Sequence, residues 1–226
     1  MLARLSTSIK LLFLCAAALL AAGCGGGSKA KLRILNAVPD QSQITVLLDG
    51  TATFNNVAYG IANDYMSTGD GSRHIQVEPA GSTNFIIDQN ITLNSGTNTT
   101  FIAADFSSTS SGVVLTDDTT APTSGNVKIR IVNGSPNLGA VDVFIVPPGT
   151  SLNSVSPTIT SLGLGSSSDY QSLVAGSYEI FFTPHGSTFA FLDTGAISFA
   201  AGQNRTVVVL NNLSGGFQVT TLPDLN

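Results

Sequence analysis

The feature that most limits this 226-residue chain is that much of it is written twice. Residues 32–40, Leu-Arg-Ile-Leu-Asn-Ala-Val-Pro-Asp, return as residues 129–137, Ile-Arg-Ile-Val-Asn-Gly-Ser-Pro-Asn. Arg33, Asn36 and Pro39 thus reappear as Arg130, Asn133 and Pro136, each 97 positions on. Further along, Gly60, Asp64, Tyr65, Gly71, Pro79 and Gly81 match Gly165, Asp169, Tyr170, Gly176, Pro184 and Gly186 at an offset of 105. The second unit therefore carries a longer early loop, around Pro147-Pro148-Gly149. Gly96 and Thr100 then match Gly202 and Thr206 at an offset of 106. Each unit is roughly 90 residues, close to the size of an immunoglobulin-like sandwich and large enough to fold alone.

Within the units the hydrophobic period is two. Ile44–Leu48, His74–Glu78 and Val141–Ile145 alternate as half-buried strands do, while Thr206–Leu210 is a more continuous apolar run, expected of a strand buried on both faces. Asp49-Gly50, Asp70-Gly71, Gly81-Ser82 and Gly215-Gly216 supply turns. No stretch after residue 24 sustains a helical period. The sequence therefore predicts an all-β chain of two tandem β-sandwich domains, residues 31–118 and 127–226, joined by a breaker-rich linker at 119–126.

The first residues read as an export address. Arg4 and Lys10 precede an apolar core, Leu11–Leu20, that is too short to span a bilayer and has the proportions of a secretory signal, placed at residues 1–23. It ends in Leu20-Ala21-Ala22-Gly23-Cys24, which resembles the lipobox of bacterial lipoproteins, with Ala21 where that pattern prefers Leu. The resemblance implies that Cys24 is lipidated and that residues 24–30 form an anchor and Gly/Ser tether. Gly25 following the cysteine implies an outer-membrane destination. The other cysteine, Cys15, lies within the signal, so the body has no internal disulfide to draw on.

Composition excludes several functions. Charged residues make up 10% of the chain, the pI is near 4.7 and no Lys/Arg cluster exists, so nucleic acid is not an expected partner. The charge deficit is filled by hydroxyls, 26 Ser and 24 Thr. Removing the signal takes away Arg4 and Lys10 and leaves a body nearer −7, with 7 basic and 14 acidic residues. Catalysis needs a nucleophile with its base, a metal with its ligands, or paired acids. The two histidines, His74 and His185, are not repeat equivalents, and no nucleophile-elbow, phosphate-loop or dinucleotide motif occurs. No catalytic residue, metal or cofactor is expected. Asp117-Asp118, Asp40 and Asp49 lack calcium-loop spacing and read as turn aspartates.

The recurring polar residues Arg33, Asn36, Asp64, Arg130, Asn133 and Asp169 are the candidate structural or ligand-contact set. Asn36 and Asn133, three residues before Pro, read as side chains that bond loop backbone. Arg33 and Arg130 read as ion-pair partners of Asp64 and Asp169, the alternative being a bidentate clamp on a carboxylate ligand. The Arg-x-x-Asn-x-x-Pro opening, the duplication and the element Tyr170-Gln-Ser-Leu-Val-Ala-Gly-Ser-Tyr178, which is similar to that of transthyretin-like modules, together resemble the Domain of Unknown Function 4397 family over residues 31–222. In unit one Asp70 and Arg73 replace Ala175 and Tyr178. The resemblance implies an exported bacterial protein without an established activity. The expectation is a non-catalytic, lipid-anchored envelope protein, a structural spacer or a binding and adhesion module, with its membrane contact through lipid and any protein or glycan partner open. The alternative is a periplasmic carbohydrate- or peptidoglycan-binding module. Tyr59 is its candidate platform, because its repeat counterpart is Leu164.

Overall fold

Alternating apolar residues become strands throughout the computed structural model, which describes residues 29–225. The signal peptide, Cys24 and most of the tether lie outside the described residues. In the first unit the strands are β1 (Ala30–Ala37), β2 (Gln43–Leu48), β3 (Thr51–Ala58), β4 (Met66–Thr68), β5 (Gly71–Pro79), β6 (Ile87–Leu93), β7 (Asn98–Ala104) and β8 (Ser111–Asp117). In the second they are β9 (Asn126–Asn133), β10 (Val141–Val146), β11 (Ile159–Leu162), β12 (Gln171–Val174), β13 (Gly176–Pro184), β14 (Leu192–Phe199), β15 (Asn204–Asn211) and β16 (Phe217–Leu225). A single turn of 3-10 helix, Leu152–Ser154, occupies the longer early loop of the second unit.

Each unit is a sandwich of two four-stranded sheets with the same connectivity. The orders are β4-β1-β7-β8 over β3-β2-β5-β6, and β12-β9-β15-β16 over β11-β10-β13-β14. The opening strand pairs in parallel with the seventh strand of its unit, β1 with β7 and β9 with β15, while the remaining pairings are antiparallel. The fold class is thus all-β with two β-sandwiches.

The sandwiches are fused. In β1 the side chains of Leu32 and Ile34 enter the core of their own sandwich, whereas Leu35 and Ala37 point the other way, into a third cluster shared with Val132, Val208, Leu210 and Leu222 of the second unit. β15 behaves identically, Val207 and Val209 facing their own core and Val208 and Leu210 facing the first unit. This is why Thr206–Leu210 carries no polar alternation: its second face is covered by the neighbouring sandwich. The strands of the two facing sheets run the same way. Arg33, early in β1, meets Asp224, which lies opposite the start of β15, while Tyr59, bridged to Asn36 late in β1, meets Asn211 at the end of β15.

One expectation changes, at β10. The segment after β8 is tied to the second unit: Lys128 Nζ donates to Asp118 Oδ2 at 2.6 Å and Asn204 Nδ2 donates to the carbonyls of Asp118 and Thr120 at 2.7 and 2.9 Å. β10 is buried on both faces, not half-buried, and its Asp142 accepts from the amides of Ser161 in β11 and Gly186 in the loop after β13.

Candidate functional site

The recurring arginines meet at the junction of the units and set its geometry. Arg33 Nε donates to Thr100 Oγ1 at 2.8 Å, Nη1 to the carbonyl of Pro223 at 2.7 Å, and Nη2 to Asp224. Arg130 repeats this in reverse: Nε to Thr206 Oγ1 at 3.0 Å, Nη1 to the carbonyl of Thr116 at 3.0 Å, and Nη2 to Asp117. Each arginine therefore crosses to the last strand of the other unit. Each carboxylate is held by its own unit: Asp117 accepts from Thr100 and Tyr65, both at 2.6 Å, and Asp224 from Thr206 at 2.6 Å and Tyr170 at 2.8 Å. Each guanidinium also lies over a ring, Arg33 over Tyr65 at 4.5 Å and Arg130 over Tyr170 at 4.7 Å. Arg33 Nη2 is a further 3.9 Å from Asp117, which joins the two halves into one network.

The arginines are 2% and 4% exposed and the side chains of both carboxylates are wholly buried, so the charges stand in a low-dielectric setting where each needs its partner. Burial drives the phenols of Tyr65 and Tyr170 far above the ordinary tyrosine range; Asp117 adds to this at Tyr65, while Arg130 opposes it at Tyr170.

Pairing of Arg33 with Asp64 and of Arg130 with Asp169 is therefore not found. Both aspartates are exposed, one residue before the stacked tyrosines. The partners are Asp224 and Asp117, which lie farther along the sequence but closer in space because the sheets pack face to face. A signal for them existed: Leu115-Thr-Asp117 and Leu222-Pro-Asp224 close the last strand of each unit, a match at an offset of 107. Asp117, read as a turn residue, is thus the buried centre of the network. Asp118 bonds Lys128 and Thr120, Asp40 bonds Ser107, and Asp49 pairs with Arg73, so these aspartates are spread over separate places.

Asn36 and Asn133 make the same three bonds. Asn36 Nδ2 donates to the carbonyls of Gln41 and Val57, both at 3.1 Å, and its Oδ1 accepts from the Val38 amide at 3.0 Å. Asn133 Nδ2 donates to Gly139 at 2.8 Å and Leu162 at 3.1 Å, and its Oδ1 accepts from Ser135 at 3.1 Å. Both are fully buried and tie the loop after the opening strand to the sandwich. Tyr59 is not an open platform: it packs in the shared cluster and its hydroxyl donates to the Asn211 carbonyl at 2.9 Å, with burial pushing the phenol up to about 12.

One constellation was not legible in the sequence. Buried Asp142 accepts from the amides of Ser161 and Gly186, each at 2.8 Å, and from His185 Nδ1 at 2.9 Å, while Ser161 Oγ lies 3.0 Å from the same Nδ1. Serine and aspartate share one ring nitrogen, so no proton path runs through the imidazole from one to the other, as a serine triad requires. The group instead ties β11 and the loop after β13 to β10. Its only trace in the sequence is a lone Asp within an apolar strand. His74 pairs with Asp88 at 2.6 Å on an exposed sheet face.

Beside the network a cleft of about 230 Å³ opens between the loop after β3 and strand β16. The loop begins at Gly60, whose φ of +74°, like +71° at its counterpart Gly165, explains why glycine recurs there.

A family profile described as "Domain of unknown function (DUF4397)" matches residues 30–144, just over half the chain. No curated protein matches. Among solved structures, an α-glucan-binding streptococcal virulence factor is 10% identical, covering 84% of this chain and 96% of its own, with a TM-score of 0.27. A family 26 carbohydrate-binding module from Eubacterium rectale, solved with maltoheptaose, is 10% identical over 85% and 96%, with a TM-score of 0.28. Family 41 carbohydrate-binding modules from streptococcal virulence factors give 13% identity over 79% and 93%, with a TM-score of 0.25. Likeness at this level carries no argument about function.

Proposed function

The chain belongs to the family described as Domain of unknown function (DUF4397), and from that premise we propose that it is a non-catalytic, lipid-anchored cell-envelope protein whose fused sandwiches act as a stiff spacer or binding and adhesion module. The observation that carries this reading is the fate of the recurring polar residues. Arg33, Arg130, Asn36 and Asn133 are buried and fully engaged in joining sheets and loops. A duplicated protein that commits its repeated polar groups to fastening its halves is organised for mechanical unity.

Polarity supports an anchored display. Ala30 opens β1 at one end of both sandwiches, only six positions after Cys24, and a six-residue Gly/Ser tether reaches roughly 13 Å. Because the two units run in the same direction, the loops after β5, β13 and β15 gather at the opposite end. Phe85, Phe189 and Leu213 are exposed in those loops. A membrane anchored through Cys24 would thus lie at one end and Phe85, Phe189 and Leu213 at the other.

The test is fractionation of cells expressing the chain and its Cys24→Ser variant. The parent should partition with membranes and label with palmitate, and the variant should do neither. Equal partitioning of the two would end the lipid-anchor reading. Protease treatment of intact cells then separates surface display from the periplasmic face.

A further inference from the structure

The duplication repeats one polar pair that is filled in the second unit and open in the first. In the second unit Lys128 of β9 stands opposite Asn204 of β15 in the parallel register, on the face that also carries Arg130 and Thr206. Together they grip the segment after β8. Lys128 Nζ donates to Asp118 Oδ2 at 2.6 Å, to Thr120 Oγ1 at 2.9 Å and to the Thr120 carbonyl at 3.2 Å, while Asn204 Nδ2 donates to the carbonyls of Asp118 and Thr120. The gripped segment holds its own shape: the amide and hydroxyl of Thr120 both donate to Asp118 Oδ1, at 2.8 and 2.6 Å, which makes an Asp-x-Thr turn.

The first unit carries the same pair. Lys31 of β1 stands opposite Asn98 of β7, at the offsets of 97 and 106 that also relate Arg33 to Arg130 and Thr100 to Thr206. The backbone repeats as well, the Lys31 amide donating to the Thr97 carbonyl as the Lys128 amide does to that of Gln203. Yet among the described residues nothing bonds the Lys31 ammonium or the Asn98 side-chain amide. Lys31 is exposed and Asn98 half-buried, where Asn204 is buried. The reason lies at the end of β16. The residue that matches Asp118 there is Leu225, each following the network aspartate directly. Leucine brings no carboxylate, and the Leu225 carbonyl accepts from Arg205 Nη1 at 2.8 Å, within its own unit.

From this we infer that Lys31 and Asn98 form a binding site for an Asp-x-Thr turn carried by a partner protein, its carboxylate on the Lys31 ammonium and its carbonyls on the Asn98 amide. A simple anion would leave the Asn98 donors unmatched, and a neutral turn would leave Lys31 without a counter-charge. A second copy of this chain is the poorer occupant, because its own Asp118 is already held by Lys128. The inference is independent of how the chain is anchored, and its failure would leave the spacer reading intact.

Protein spanning residues 25–226, which contains both sandwiches entire, is labelled with ¹⁵N and titrated with acetyl-Asp-Thr-Thr-Ala-amide, the sequence of residues 118–121. Its Asn-Thr-Thr-Ala counterpart is titrated in parallel. A peptide making one ion pair and two further hydrogen bonds should bind at about 1 mM, with saturable shifts centred on Lys31 and on Thr97–Thr99. Lys31→Met, an exposed change, should weaken binding by about tenfold, and the Asn peptide should bind the parent as weakly. In Lys31→Met the two peptides should bind alike, since the contact that tells them apart is gone. No saturable shift, shifts centred on Lys128 and Asn204 instead, or a preference for the Asp peptide that survives Lys31→Met would each overturn the assignment. Self-association of the parent that Lys31→Met abolishes would overturn it too, by making the partner a second copy.

Discussion

Removing one carboxylate from the junction is expected to destabilise both sandwiches at once. In Asp224→Ala the Arg33 guanidinium keeps its bonds to Thr100 and the Pro223 carbonyl but loses its bonded counter-charge at a site 2% exposed to solvent, leaving Asp117, 3.9 Å away and already bonded to Arg130, to serve two arginines. Thr206 and Tyr170 lose their acceptor in the same step. Breaking a buried pair by deleting one partner costs about 3–5 kcal/mol, most of it the penalty of a stranded charge. For a chain of this length each kcal/mol moves the melting temperature by roughly 2–4 °C, so a fall of roughly 6–20 °C is expected by calorimetry. The parent should melt in a single transition, because the shared apolar cluster leaves neither unit a covered second face without the other. The second arm is Arg33→Met/Asp224→Ala, which deletes both charges and should recover much of the loss. A drop under about 1 kcal/mol for the single variant, or a double variant no more stable than it, would refute the argument that a stranded charge is the cost.

Further predictions follow from the same structure. Asn133→Ala removes three bonds from a buried side chain and should cost about 2–3 kcal/mol in urea unfolding, with Asn36→Ala similar; unchanged unfolding would remove the loop-tying role. Tyr59, Tyr65 and Tyr170 have phenols raised by burial, so the folded state favours their protonated forms. The stability they add is present below pH 10 and is lost as pH rises through their folded values, and phenolate absorbance at pH 11 should fall short of the denatured protein's by these three rings. At Asp142 burial pushes the carboxyl up, but the bonds from Gly186, His185 and Ser161 outweigh it and hold it below its ordinary value. Its contribution is therefore present above the unfolded value near 4 and is lost as pH falls through the folded one, so Asp142→Asn should flatten the acid limb of a stability–pH profile.

How much of this was legible from the chain can be argued residue by residue. Asn36 and Asn133 could be read because their partners lie in nearby loops, within reach of turn chemistry. The same holds for the alternating strands, whose pattern records which face meets the core of their own unit. The partners of Arg33 and Arg130 could not be read in that way, because nothing local distinguishes Asp64, 31 positions away, from Asp224, 191 positions away. Tyr59 misled for a related reason: its counterpart Leu164 implied a free surface, whereas the surface is covered by the second unit.

The sequence by itself determined duplication, all-β architecture, two sandwiches and the recurring Arg and Asn side chains, since these follow from periodicity and from which side chains recur. Only the tertiary structure decided how the two units meet. Pairing across the junction depends on two sheets packing face to face with their strands running alike, and that arrangement leaves no period in the chain. It makes buried partners of residues far apart in sequence and leaves Asp64 exposed beside the ion pair the sequence seemed to assign it.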